Sequence, residues 1–75
     1  MKPVDIMIYL KRKLNDSDRL ILDKTLRNIE GVVAPWFAPQ LKQVMVIYYN
    51  PEITNTSIVL AAVRHLGYEA KLVSL

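Results

Sequence analysis

Asn15-Asp16-Ser17-Asp18 separates two patterns of different period, and that change of period decides the fold. Upstream, Pro3 to Lys11 alternates, with Val4, Ile6, Ile8 and Leu10 on one side and Asp5, Met7, Tyr9 and Lys11 on the other. This is the period of a strand with one buried face. Downstream, from about Asp18, the apolar residues Leu22, Leu26 and Ile29 fall at spacings of four and three, one stripe of an α-helix. Asn15, Asp16 and Ser17 are each able to cap that helix, because a short side-chain oxygen accepts from an unpaired N–H of the first turn. Gly31 stands where a C-terminal cap belongs.

Working outward, Val32 to Phe37 is short and apolar and contains Pro35. Proline cannot donate to a ladder, so this run predicts an edge strand. Ala38 to Lys42, with Pro39, reads as the turn that reverses the chain. Gln43 to Tyr49 then runs Val44, Met45, Val46, Ile47, Tyr48, Tyr49 with almost no polar interruption, the pattern of a central strand. After Asn50-Pro51-Glu52, one of Thr54, Asn55 or Thr56 caps a second helix with the stripe Val59, Ala62, Val63 and Leu66, closed by Gly67. Tyr68 to Val73 returns as a short last strand. The order βαββαβ predicts an α+β class, the ferredoxin-like two-layer sandwich: a four-stranded antiparallel sheet with two helices on one face.

Seventy-five residues make a single domain spanning 1–75, because a chain of this length buries only about 60% of its unfolded surface and supports one core. The absence of cysteine excludes disulfides, thiolate nucleophiles, iron–sulfur clusters and soft thiolate metal sites. Met1 to Leu10 is too short and too polar for a signal segment, and no apolar run approaches the roughly 20 residues of a membrane span, so a cytoplasmic protein is expected. The net charge of +3 is modest, and its densest basic cluster is Lys11, Arg12 and Lys13. Solvated surface lysines account for it without a nucleic-acid partner.

The helix stripe Leu22, Leu26, Ile29 running into Gly31-Val32, the strand end Tyr49-Asn50-Pro51, and Ala62-Val63 followed by Gly67-Tyr68-Glu69-Ala70 together resemble the heavy-metal-associated domain of copper chaperones, mercury-binding proteins and metal-pumping ATPases. The resemblance covers nearly the whole chain. In that family the turn before the first helix carries Met-x-Cys-x-x-Cys, whose thiolates bind a soft ion such as Cu(I). Counted back from Gly31, the cysteine positions correspond to Asn15 and Asp18 and the methionine position to Lys13. An amide and a carboxylate are hard oxygen donors, suited to Mg, Ca or Mn and poor for Cu(I), and a lysine ammonium disfavours a cation. The resemblance therefore implies the fold without the family's metal transfer, and no cofactor is expected.

The turn has two readings: an oxygen-ligand metal site built from Asn15, Asp16 and Asp18, or helix capping, in which acidic groups near the N-terminus gain about 0.3–1 kcal/mol from the helix dipole. Capping alone accounts for all four residues. His65, the one histidine, lies off the apolar stripe near the end of the second helix and suits that terminus electrostatically. Ser17, Ser57 and Ser74 have no histidine at a motif spacing, and a chain with two glycines holds no glycine-rich phosphate loop. No enzyme is expected.

The surplus is on the sheet. If Ile6, Ile8, Leu10, Met45, Ile47 and Tyr49 point to the helices, alternation sends Met7, Tyr9, Val44, Val46 and Tyr48 outward, joined by Trp36 and Val73, with Leu20 and Ile21 a further surplus beside the first-helix stripe. A contiguous apolar and aromatic face without internal cover marks an interface. The expected function is a non-catalytic binding module acting through Met7, Tyr9, Trp36, Val44, Val46 and Tyr48, with a protein partner or, most simply, a symmetric homodimer. RNA-recognition domains share this topology and stack bases on aromatics of the first and third strands, where Tyr9 and Tyr48 lie. Val44 to Tyr49 has none of the Lys/Arg-Gly-aromatic signature of that family, which argues against RNA.

Overall fold

The computed structural model describes residues 2–73. Val4–Leu10 forms β1, Asp16–Arg27 α1, Val32–Phe37 β2, Val44–Tyr49 β3, Thr56–His65 α2 and Ala70–Leu72 β4. The predicted order of six elements is the observed one. The strands make one antiparallel sheet in the order β2-β3-β1-β4, which puts the proline-containing β2 at an edge and the apolar β3 inside. This is the ferredoxin-like arrangement, with both helices on one face.

The alternation of β1 and β3 holds at Ile8, Tyr9, Leu10, Met45, Ile47, Tyr48 and Tyr49, but Val4, read on the buried side, is 40% exposed, and Val46, read on the outward side, is buried. Ile8, Leu10, Met45 and Ile47 have no exposed surface and pack against Leu22 and Leu26 of α1 and Val59 and Val63 of α2, with Leu14 and Tyr68 completing the core. Leu14 is placed there by its backbone, whose N–H donates to the Lys42 carbonyl at 2.8 Å and draws the end of the β1–α1 loop under the sheet. Ile6, Ile29 and Val32 are partly buried at the margin, and Leu66, assigned to the α2 stripe by spacing, is more than a third exposed.

Two boundaries differ from the sequence reading. Helix α1 begins two residues earlier than Asp18 and is capped by Asn15 alone, whose side-chain oxygen accepts from the Asp18 N–H at 2.8 Å. Gly31 is not its C-cap; Asn28 is, and Gly31 lies four residues past the helix with φ +97°. A Cβ at Gly31 would stand 2.9 Å from two carbons of Ile53, so this glycine serves a close approach between the α1–β2 turn and the β3–α2 connection. Helix α2 is capped by Asn55, which accepts from the Ile58 N–H at 3.0 Å, while Thr54 is buried beside Gly31. Gly67 does close α2, with φ +95°. The last strand is shorter than predicted, because Tyr68 turns inward to the core before pairing begins at Ala70.

Candidate functional site

The turn around Asn15 to Asp18 is built as a reciprocal cap. Asn15 accepts from the Asp18 N–H, and the Asp18 carboxylate accepts from the Asn15 N–H at 3.1 Å, so two orphan donors of the helix start are satisfied by two short side chains. Asp18 is buried although it carries a charge. Its compensation comes from two residues outside the helix. Arg12, from the β1–α1 loop, donates through Nη1 and Nη2 to the two carboxylate oxygens at 2.8 and 3.0 Å. Tyr68, from the α2–β4 connection, donates its hydroxyl to Oδ1 at 2.7 Å. The guanidinium also lies 4.6 Å from the centre of the Tyr68 ring, a cation–π distance.

Each carboxylate oxygen therefore accepts two hydrogen bonds: Oδ1 from Arg12 and Tyr68, and Oδ2 from Arg12 and Asn15. A carboxylate offers about four lone-pair sites, so this one is saturated by protein donors. The Arg12 bond is the largest reason that the Asp18 carboxyl is held well below the usual carboxylate range, with the Tyr68 bond next; burial opposes both. The same contacts act in reverse on the partners. Burial, and then the Asp18 bond, pushes the Tyr68 phenol up, and the Asp18 bond raises Arg12.

This geometry bears on the oxygen-ligand reading of Asn15, Asp16 and Asp18. The Asn15 oxygen is used in the cap, Asp18 has no lone pair left, and Asp16 is an exposed residue of the first turn. The residues do not fit a cation, because a guanidinium already sits where a positive charge would be held. Among the described residues no group of three or more His, Cys, Asp or Glu side chains is placed to hold a metal ion. Sequence reasoning missed Arg12 and Tyr68. Arg12 is one of three consecutive basic residues, and nothing in its spacing distinguishes it from solvated neighbours; Tyr68 falls in the run that predicts the last strand.

The other candidate surface is the sheet face away from the helices. Register sets its rows: Trp36, Val46 and Met7 stand opposite one another across β2, β3 and β1, and Val73 continues the row by donating its N–H to the Met7 carbonyl at 2.9 Å. Ala34, Tyr48 and Asp5 form the row on one side, and Val44, Tyr9 and Lys71 the row on the other. The structure thus brings Met7, Tyr9, Trp36, Val44, Val46 and Tyr48 onto one face. Trp36 is 49% exposed and Tyr48 40%, whereas Val46 is only 8% exposed. The reading of Val46 as an exposed contact is corrected by its position in the middle of the row, between the larger side chains of Trp36 and Met7. Tyr9 is oriented from two sides: Gln43 Nε2 donates to its hydroxyl at 3.1 Å, and Lys71 Nζ lies 5.6 Å from its ring centre. Leu20 and Ile21 are also exposed, but on α1.

No protein-family model matches the chain. No curated protein matches it either. Solved structures do. A copper-binding domain of HMA7, a P-type ATPase, superposes with a TM-score of 0.83 at 15% identity, covering 97% of this chain and 96% of that one. The N-terminal domain of a potential copper-translocating P-type ATPase from Bacillus subtilis, in its Cu(I)-loaded state, gives 0.83 at 25% identity over 95% of this chain and 88% of that one. Oxidized MerP from Ralstonia metallidurans gives 0.83 at 12% identity over 97% and 100%. In fold, the chain is a heavy-metal-associated-like domain, and it has no cysteine with which to form a CxxC pair.

Proposed function

We propose that this chain is a non-catalytic protein-docking module, in which the turn that the family pattern assigns to a metal is closed by an internal ion pair and the working surface is the open face of the sheet. The observation that carries the reading is the row Trp36–Val46–Met7 across three strands, flanked by Tyr48 and Tyr9, on a face that neither helix covers. Aromatic residues at the centre of an apolar patch are the anchors that dominate protein interfaces. The saturated Asp18 supports the second half of the reading, since a metal could reach it only by displacing Arg12, Tyr68 or the helix cap.

A photo-crosslinking residue installed at Tyr48, and separately at Ile58 on α2, tests the docking surface, since both positions are exposed and lie in different layers. Adducts of discrete mass from Tyr48 and none from Ile58 support docking through the sheet. Adducts from Ile58 alone, or from neither position, overturn it. Light scattering across a concentration series reports whether the partner is a second copy. A parallel titration with Zn, Cu, Mn and Ca, followed by residue-level chemical shifts, is expected to leave Asn15 to Asp18 unmoved.

A further inference from the structure

Tyr9 stands between two open hollows at one end of the sheet face. One, of about 220 Å³, is lined by Lys11, Lys71, Glu69 and Ala70; the other, of about 380 Å³, has Lys13, Lys42, Gln40 and Val44 among its walls. Four lysines therefore surround one tyrosine, and among the described lining residues Glu69, at 3.2 Å from Lys11, is the single carboxylate. The apolar row begins two residues away along β1, at Met7, about 7 Å from Tyr9 at the rise of a strand. Charge and apolar surface are thus adjacent on one face.

Resting on the docking reading above, we infer that the partner segment is an acidic peptide: one apolar side chain sits on the Trp36–Val46–Met7 row, and carboxylates two to four positions away enter the hollows beside Tyr9. The charge pattern selects this occupant. Among the described residues a second copy of the chain offers Asp5 on the outward strand positions and Glu69, which its own Lys11 already pairs, against four more lysines, so it meets net repulsion where an acidic partner meets attraction. A single-stranded nucleic acid is also anionic, but it stacks bases on free aromatic rings. Here Lys71 lies against the Tyr9 ring, its hydroxyl is held by Gln43, and the centre of the row is the aliphatic Val46 and Met7.

The test is selection from a random peptide display library on the immobilised full chain. The selected peptide is then synthesised and its affinity measured for wild type, for Trp36→Ser and for Lys13→Glu/Lys42→Glu/Lys71→Glu. All four residues are exposed, and circular dichroism confirms that each variant folds. The expected peptides carry Asp or Glu two to four positions from a large apolar residue. They weaken about tenfold or more on either variant and about fivefold or more between 0.05 and 0.5 M salt. Apolar peptides without acidic enrichment, lost on Trp36→Ser and indifferent to the lysine reversals and to salt, overturn this inference and leave the docking reading standing. Peptides indifferent to both variants, or no enrichment at all, overturn both. Binding of oligouridylate that is lost on the same variants, with no acidic peptide bound, replaces the peptide by a nucleic acid.

Discussion

The Asp18 carboxylate and the Arg12 guanidinium meet through two parallel hydrogen bonds of 2.8 and 3.0 Å, across the turn to which the heavy-metal-associated pattern assigns a pair of cysteines. The pair joins the β1–α1 loop to the first turn of α1, and the Tyr68 hydroxyl ties both to the connection after α2. A loop, the helix that follows it and a connection fifty residues away are thus fastened at one carboxylate. A bound cation would bring its ligands together at this turn; here an arginine and a tyrosine supply the cross-link.

Replacing Asp18 by Asn keeps the shape and removes the charge. The amide cannot accept four hydrogen bonds, and it leaves the Tyr68 hydroxyl or one Arg12 N–H without its acceptor. Urea unfolding at neutral pH is expected to show a loss of about 1–3 kcal/mol, from a weakened cap and a buried donor left unpaired. Tyr68→Phe removes one bond and costs about 1 kcal/mol. Arg12→Ala costs less than Asp18→Asn, because the guanidinium is largely solvent-exposed.

The same carboxylate makes stability depend on acid. Its folded pKa lies below its unfolded value of about 4, so the folded state holds it ionised where the unfolded state begins to take up protons. The stabilisation is complete above that unfolded value and is lost as pH falls below it. Thermal unfolding from pH 7 down to pH 2 is expected to show a steeper acid limb for wild type than for Asp18→Asn. The Tyr68 phenol acts at the other end: its folded pKa is raised, so its contribution is present below the ordinary value of about 10 and is lost as pH rises further.

Installing the missing thiols, Asn15→Cys with Asp18→Cys, tests whether this fold still accepts a soft ion. The double variant loses both halves of the α1 capping box and is expected to be less stable than wild type when metal-free. Thiolates bind Cu(I) where an amide and a carboxylate do not. Competition with a chromogenic chelator is expected to show Cu(I) retained by the variant only, with a rise in Tm on loading. Equal retention by both proteins would contradict the closed-turn reading.

The glycines separate two physical causes. Gly31 and Gly67 both have positive φ, which costs an L-residue about 1–2 kcal/mol. A Cβ at Gly67 meets nothing within 4 Å, whereas at Gly31 it meets Ile53 at 2.9 Å and Thr54 at 3.0 Å. Gly31→Ala is therefore expected to cost more than Gly67→Ala, by an overpacking increment of about 1–3 kcal/mol in urea unfolding.

Periodicity made most of this fold legible. The alternation of β1, the unbroken apolar run of β3 and the four-and-three spacing of α1 each report a local geometry, and Pro35 reported its edge position because a missing N–H is a local fact. What was illegible depends on distance. Asp18 is recognisable as a capping residue from its neighbours, but its hydrogen bond from Tyr68 comes from fifty residues away. Arg12 looks like Lys11 and Lys13 in sequence and differs from them only because the loop turns it across the start of α1. The spacing that marks Gly31 as a C-cap misses its task for the same reason: Ile53, which packs where its side chain would be, belongs to another connection.

The sheet face divides residues that hold the fold from residues available to a partner. Trp36 is 49% exposed on an edge strand, so Trp36→Ser is expected to change unfolding stability by less than about 1 kcal/mol, as surface substitutions do. Val46, next to it in the same row, is 8% exposed, and Val46→Ala is expected to cost about 1–2 kcal/mol because buried methyl groups are removed. Urea unfolding of the two variants measures this contrast, and peptide affinity measures the other. Binding should fall sharply in Trp36→Ser, whose fold is intact. A Trp36→Ser protein as destabilised as Val46→Ala would mean that the tryptophan is part of the domain's own packing, and the anchor would then have to be sought at Tyr48.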